Sequence, residues 1–262
     1  MQAATLPISA GWQWILDGYR LFMRQPAPMF FWSLVTGMLI SISYLIPVFG
    51  QIALIGATPL LTFIILSACR RVASDQRMGW GLWLQPLRRD PSVRRRLFRL
   101  GMLYLAFCMA AGIVATIPFL NDLRLAVDAG GGIDERQLLA AMRGPFITFG
   151  LLYVLISALF WHAPALTGWH AIPIVQAMFY SMVACWRNKL PFLAYGAGWA
   201  SIFFVFQLAG GLLTGMGLSF AASQLLMTPV NLVVAAVLYC SFYPAYVSVF
   251  GNHYPLSLED LS

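Results

Sequence analysis

Charge is what this sequence has least of. Only 10% of its 262 residues are Asp, Glu, Lys or Arg, against 60% hydrophobic, and its mean hydropathy is +0.77. A soluble domain carries about 25% charged residues, so a water-facing fold of this length lacks the side chains to cover its surface. The excess of apolar residues also excludes a disordered chain. Acidic residues are the scarcest charges, nine against sixteen basic. Cysteine is sparse as well. Cys69, Cys108, Cys185 and Cys240 stand singly among apolar neighbours, with no Cys-x-x-Cys spacing, which excludes a disulfide scaffold and reads as buried small hydrophobes. The first eight residues carry no charge, and the first long apolar run begins only after Arg20 and Arg24. A cleavable signal peptide is therefore not expected, and the N-terminus is expected to stay cytoplasmic.

What the chain does have is long uncharged apolar runs. A spanning helix needs roughly 17–25 mostly apolar residues. Six segments meet this, at 29–46, 52–69, 100–117, 146–163, 192–213 and 230–250, and none contains Lys, Arg, Asp or Glu. The five residues 47–51 between the first two allow only a tight turn and predict a helical hairpin. The run from Leu218 to Phe250 is long for one span. Pro229 is expected to divide it, leaving 218–227 as a short periplasmic or re-entrant helix.

Orientation follows from the basic residues. With the N-terminus inside, only Arg124, Arg136 and Arg143 of the sixteen fall outside, leaving thirteen on the cytoplasmic side. Basic residues resist translocation, so both termini are expected in the cytoplasm.

The segments before the spans repeat. In 9–24, Trp12, Ile15, Tyr19 and Phe22 follow at helical steps, with Gln13, Asp17, Arg20 and Arg24 opposite; Ser9 is the expected N-cap, and Pro26 and Pro28 end the helix. Aromatic residues opposite basic ones suit a helix lying in the membrane interface. The arrangement returns at 175–187, where Val175, Met178, Met182 and Cys185 form the stripe, Arg187-Asn188 matches Arg24-Gln25, and Pro191 matches Pro28. A looser version, Trp80, Trp83 and Leu87 followed by Arg88 and Arg89, precedes the third span. The predicted fold is an all-α integral membrane protein, one domain over 1–262. Its six spans form three hairpins, each preceded by a cytoplasmic interfacial element. The expected interface anchors are Trp12, Trp14, Tyr19, Arg20, Arg24, Trp80, Trp83, Arg94, Arg95, Arg96, Trp186 and Arg187.

The one sizeable external segment, 119–144, reads as two short helices, 121–128 and 134–143, around Gly130-Gly131-Gly132, with Asp134 capping the second. A solvated cap is its plainer reading; a contact with a periplasmic partner is the other. The cytoplasmic stretch 70–99 holds nine Arg against Asp75 and Asp90. In a six-span protein this basic run suits anionic lipid headgroups, each charge contributing about 1 kcal/mol, better than nucleic acid.

Polar groups inside the spans are few, and in a bilayer such groups mark sites. His162 is the foremost, expected as an interfacial, hydrogen-bonded side chain rather than a ligand. Small residues four apart, such as Cys108/Gly112 and Gly196/Ala200, suit helix–helix contact. Gln207, Gln224 and Asn231 read either as interhelical hydrogen-bonding glue in a dry interior or as the lining of a substrate path. No Gly-x-Ser-x-Gly, His-Glu-x-x-His or Walker-type loop occurs, and no set of ligands converges in sequence, so no catalytic residue, metal or cofactor is assigned.

Three stretches carry a resemblance. They are Gly11-Trp12-x-Trp14-x-x-x-Gly18; Ala163-Pro164-Ala165-Leu166 with Trp186-Arg187-Asn188-x-x-Pro191-Phe192-Leu193; and the residues from Tyr243 to Phe250. Together they make the chain similar to a family of uncharacterised proteobacterial multi-pass inner-membrane proteins. The resemblance implies a multi-pass protein of the bacterial inner membrane, with no established activity and no catalytic residues to carry over. The sequence reading is thus a non-enzymatic scaffold or accessory factor organising lipid or a membrane partner, with a homo-oligomer left open. The alternative is a small-molecule or lipid transporter or channel, and the third is a haem-binding or enzymatic membrane subunit.

Overall fold

The computed structural model describes residues 3–128 and 135–251, apart from the side chains of residues 80, 89, 127, 128 and 135. Among them every regular element is helical and no strand occurs. In chain order the helices are α1 (Ala10–Arg24), α2 (Pro26–Leu45), α3 (Phe49–Ala73), α4 (Gln85–Arg89), α5 (Pro91–Thr116) and α6 (Leu120–Asp128). They continue as α7 (Glu135–Phe160), α8 (Ala163–Trp169), α9 (Ile174–Arg187), α10 (Lys189–Gly215) and α11 (Phe220–Phe250). Six stretches are long and apolar enough to cross a membrane, and they overlap the six expected spans in order, the first ending at Leu45.

Prolines and caps set the breaks. Pro26 pushes Gln25 off the helical region, to φ −144°, ψ 73°, and opens the first turn of α2, so α1 and α2 cannot fuse. Asp90 caps α5, its Oδ1 accepting the Ser92 N–H at 2.7 Å. Those bonds, the Ser92 bond foremost, hold its carboxyl below the usual carboxylate range. Three expected boundaries are corrected. Helix α5 starts well before residue 100. The expected short helix 134–143 and the fourth span are one helix, α7, which runs through Pro145. Pro229 does not divide the last run: α11 is continuous for 31 residues, about 46 Å, with Pro229 and Pro244 inside it. In an apolar surrounding no water competes for the backbone, so a helix continues through a proline that would end it in water. Gly130-Gly131-Gly132 and Asp134 lie outside the described residues.

The apolar faces of α1 and α9 also differ from expectation. Helix α1 buries Gly11, Trp14, Ile15, Gly18, Leu21 and Phe22, while Trp12 and Tyr19 point outward. Helix α9 buries Ala177, Met178, Ser181 and Ala184, and Val175 is exposed. Both helices dock through small residues, because a small residue lets the partner's backbone approach. A Cβ on Gly11 would lie 2.1 Å from the Pro191 carbonyl oxygen on α10, and one on Gly18 would lie 2.6–2.8 Å from Ser241 on α11. The small pairs Cys108/Gly112 and Gly196/Ala200 make no such approach: nothing lies within 4 Å of a Cβ built on Gly112 or Gly196. Ser9 is itself helical, φ −62° and ψ −21°, and its hydroxyl makes no capping bond.

The spans form an arc. Helix α11 packs on α2 and α3, α3 on α5, and α5 on α7, while α10 joins the other end through α1 and α11. Helix α7 turns to α9 and α8 and has no extended contact with α10 or α11. The arc is therefore open on one side. Its outward faces carry large apolar side chains, among them Leu45, Leu151, Val154, Phe204 and Leu212, as a lipid surrounding requires.

Candidate functional site

The open side of the arc leads to a chamber of about 190 Å³ between α3, α5, α7 and α11. Thr58 and Thr62 line it one turn apart on α3, bracketing Pro59. Tyr104 comes from α5, Tyr153 and Ser157 from α7, and Phe242 and Tyr246 from α11. Trp161, at the bend between α7 and α8, and Pro164 in the first turn of α8 complete the lining. A second cavity of about 170 Å³ lies among α2, α3 and α11, lined by Trp32, Thr36, Ile40 and Tyr239. Thr58, Thr62 and Phe242 line both cavities, so the two are neighbours.

The chamber wall is apolar with a few oriented hydroxyls. The Thr62 hydroxyl donates to the Thr58 carbonyl at 2.9 Å, and the Thr58 hydroxyl donates to the Leu54 carbonyl at 3.0 Å. Both protons are committed to the helix, so towards the chamber these oxygens can only accept. The Tyr104 and Tyr153 hydroxyls meet at 3.1 Å. The Tyr104 hydroxyl also has the Cys108 sulfur as a partner, so the phenolic O–H left to donate outward is that of Tyr153, with Tyr104 donating to it. Tyr104 also stacks edge-on to Phe160 at 5.0 Å, which fixes its ring. The Tyr246 hydroxyl lies 2.8 Å from His170 Nε2. Tyr153 is 41% exposed while Tyr104 is 7% exposed, so the mouth lies at Tyr153, beside the outward Leu151 and Val154 of α7.

None of the expected polar candidates lines this chamber. His162 is buried inside the protein. Its ring is enclosed by Phe192, Tyr246 and Phe250 at 5.1–6.0 Å, its backbone N–H donates to the Ser181 hydroxyl at 3.0 Å, and its carbonyl accepts the Leu166 N–H at 3.1 Å. Among the described residues its Nε2 meets no hydrogen-bond partner. Gln207, Gln224 and Asn231 are exposed on α10 and α11. Asn231 is therefore not glue in a dry interior of this chain, and it lines neither cavity. Helix α10 buries only Pro191, Tyr195 and Trp199 near its start and leaves the first half of α11 largely uncovered. Among the described residues no group of three His, Cys, Asp or Glu side chains is placed to hold a metal ion. Burial pushes the Cys185 thiol on α9 up to about 12, so it stays a neutral thiol.

The expected interface anchors divide. Trp12, Tyr19, Arg20, Arg24, Arg94, Arg95, Trp186 and Arg187 are exposed, and Arg96 is half-buried. Arg94 and Arg95 line a shallow depression with Pro91 and Phe98, a basic rim with an aromatic floor. Trp14 and Trp83 are corrected to core residues. The Trp14 indole N–H donates to the Ser248 hydroxyl at 2.8 Å and its ring packs on Phe192, while Trp83 stacks on Trp32 at 4.9 Å. Arg70 and Arg71 are buried as well. Arg70 lies over the Trp169 ring at 5.4 Å, and Arg71 donates to the Gln85 side chain at 2.6 Å. Placed so, neither is free to meet lipid headgroups. The Trp80 side chain lies outside the described residues.

The chamber itself escaped the sequence reading. Its signal is faint: Thr58-x-x-x-Thr62 around Pro59 and Tyr153-x-x-x-Ser157, hydroxyls at helical spacing inside otherwise apolar spans.

Comparison with known proteins agrees with a membrane assignment. The chain is 33% identical to a protein of Burkholderia thailandensis described as a probable inner membrane protein, over 97% of this chain and 96% of that one. No protein-family model and no solved structure matches the chain.

Proposed function

We propose that this chain, which belongs to the family of the Burkholderia thailandensis inner membrane protein, is a non-enzymatic accessory factor that organises lipid at the opening of its helical arc. One observation carries the reading. Tyr153 is the exposed residue of the chamber lining, flanked on α7 by exposed Leu151 and Val154; with that apolar face turned to lipid, a molecule dissolved in the membrane reaches the chamber without crossing water. In this reading both termini are cytoplasmic, on the strength of the thirteen-to-three basic split. The spans pair as hairpins, with α1, the 80–89 segment and α9 along the cytoplasmic interface. The Arg94–Arg95 depression then faces anionic headgroups.

The experiment is a photoreactive amino acid at Tyr153 in intact membranes. Cross-links to lipid support the reading. Cross-links only to another membrane protein turn the accessory role towards a protein partner, and none at either Tyr153 or Leu151 overturns it. A lipid or small-molecule transporter is the second reading. It is supported by the two cavities sharing Thr58, Thr62 and Phe242, which set them side by side about α3.

A further inference from the structure

We propose that the chamber binds a lipid-soluble molecule with a single oxygen-bearing six-membered ring as its head, a phenol, quinol or quinone, with its tail leaving past Tyr153 into the bilayer. The proposal rests on the lateral opening argued above and names what enters it.

Size comes first. An apolar protein cavity of about 150 Å³ takes up benzene. The chamber, at about 190 Å³, holds one such ring with a few substituent atoms and is far too small for a phospholipid head with its chains. Shape agrees, because Phe160, Trp161 and Phe242 supply aromatic faces and edges for a flat guest.

Polarity narrows the class further. With Tyr104 held between Cys108 and Tyr153 and donating to Tyr153, the Tyr153 O–H is kept for an outside acceptor, and the Thr58 and Thr62 oxygens, their own protons spent on α3, only accept. A ring oxygen satisfies this set: a carbonyl takes the tyrosine proton, and a hydroxyl takes it while donating to a threonine. A cationic head finds no carboxylate in the lining, and a phosphate finds no arginine or lysine there. The open side supplies the remaining element. Leu151, Val154 and Leu155 on α7 are exposed beside the mouth and offer a hydrocarbon surface for a tail.

The test uses the full chain in nanodiscs of phosphatidylethanolamine and phosphatidylglycerol. The probe is a benzoquinone with a decyl tail, with decylbenzene as the oxygen-free control. Saturable one-to-one binding of the quinone by calorimetry is expected, with decylbenzene about tenfold weaker. The Tyr104→Phe, Tyr153→Phe double variant is expected to lose about tenfold in quinone affinity while keeping the wild-type melting temperature, since only hydroxyls are removed. If that variant misfolds, the Thr62→Val variant, which removes an acceptor on α3, is expected to weaken a quinol more than a quinone. Equal binding of decylbenzene, or affinity untouched by removing the tyrosine hydroxyls, overturns the proposal. Quinone failure with lipid cross-links at Tyr153 refutes the ring assignment alone; failure of both refutes the accessory reading too.

Discussion

The side chains of Gln25 and Asn188, 163 positions apart, make the same pair of hydrogen bonds. Gln25 donates from Nε2 to the Gln76 carbonyl and accepts the Met78 N–H at Oε1, both at 2.8 Å. Asn188 donates from Nδ2 to the Ala4 carbonyl at 2.8 Å and accepts the Leu6 N–H at Oδ1 at 2.9 Å. Each amide thus grips residues i and i+2 of an irregular segment, and each sits at the break between a short amphipathic helix and a span. The preceding arginines follow suit, Arg24 reaching Asp75 at 3.2 Å and Arg187 reaching Thr5 at 3.2 Å. Buried backbone groups away from sheets and helices need such partners.

Removing either clamp is therefore expected to destabilise the chain. Asn188→Leu removes a fully buried amide and leaves the Ala4 carbonyl and Leu6 N–H of a half-buried segment unpaired, at a cost of up to about 1–3 kcal/mol per orphaned group. Gln25→Leu, only half-buried, is expected to cost less. Thermal unfolding in detergent reads both, and proteolysis at residues 3–9 is expected to quicken in the Asn188 variant alone.

Glycine variants separate packing from helix propensity. Alanine favours a helix over glycine by about 1 kcal/mol, so Gly112→Ala on α5, with open space around it, is expected to be neutral or stabilising. Gly18→Ala presses a methyl onto the Ser241 backbone and is expected to lower the melting temperature, by about 1–3 kcal/mol of stability. Equal effects in the two variants contradict the α1–α11 docking.

Asn231→Leu tests the outward placement of that side chain. An exposed substitution with no packing role changes stability by within about 0.5 kcal/mol. An unchanged melting temperature is expected, along with unchanged quinone affinity, because Asn231 lies away from the chamber. A loss above 1 kcal/mol, measured by reversible denaturation, would place Asn231 at a contact the monomer does not make.

Topology is checked by single cysteines in a background lacking the native four. Arg95→Cys is expected to label with a membrane-impermeant maleimide only after the cytoplasmic side is opened, and Leu125→Cys on α6 from outside in intact cells. Labelling of Arg95→Cys in intact cells inverts the orientation.

The sequence by itself determined the class, the number and order of the apolar spans and the break at Pro26. Each rests on a local rule: uncharged length for a helix in lipid, and a ring that forbids the helical amide. It also showed the Arg24-Gln25 and Arg187-Asn188 correspondence, though not the clamps those amides form. Only the tertiary structure decided which faces are inside. In water, periodicity finds the core because the outer face is polar. Here lipid makes the outer face as apolar as the inner one, so Trp12 and Trp14 look alike in sequence while one faces out and the other packs on Phe192. The chamber is hidden for the same reason, its hydroxyls coming from four helices far apart in the chain and meeting only where the arc of spans fails to close.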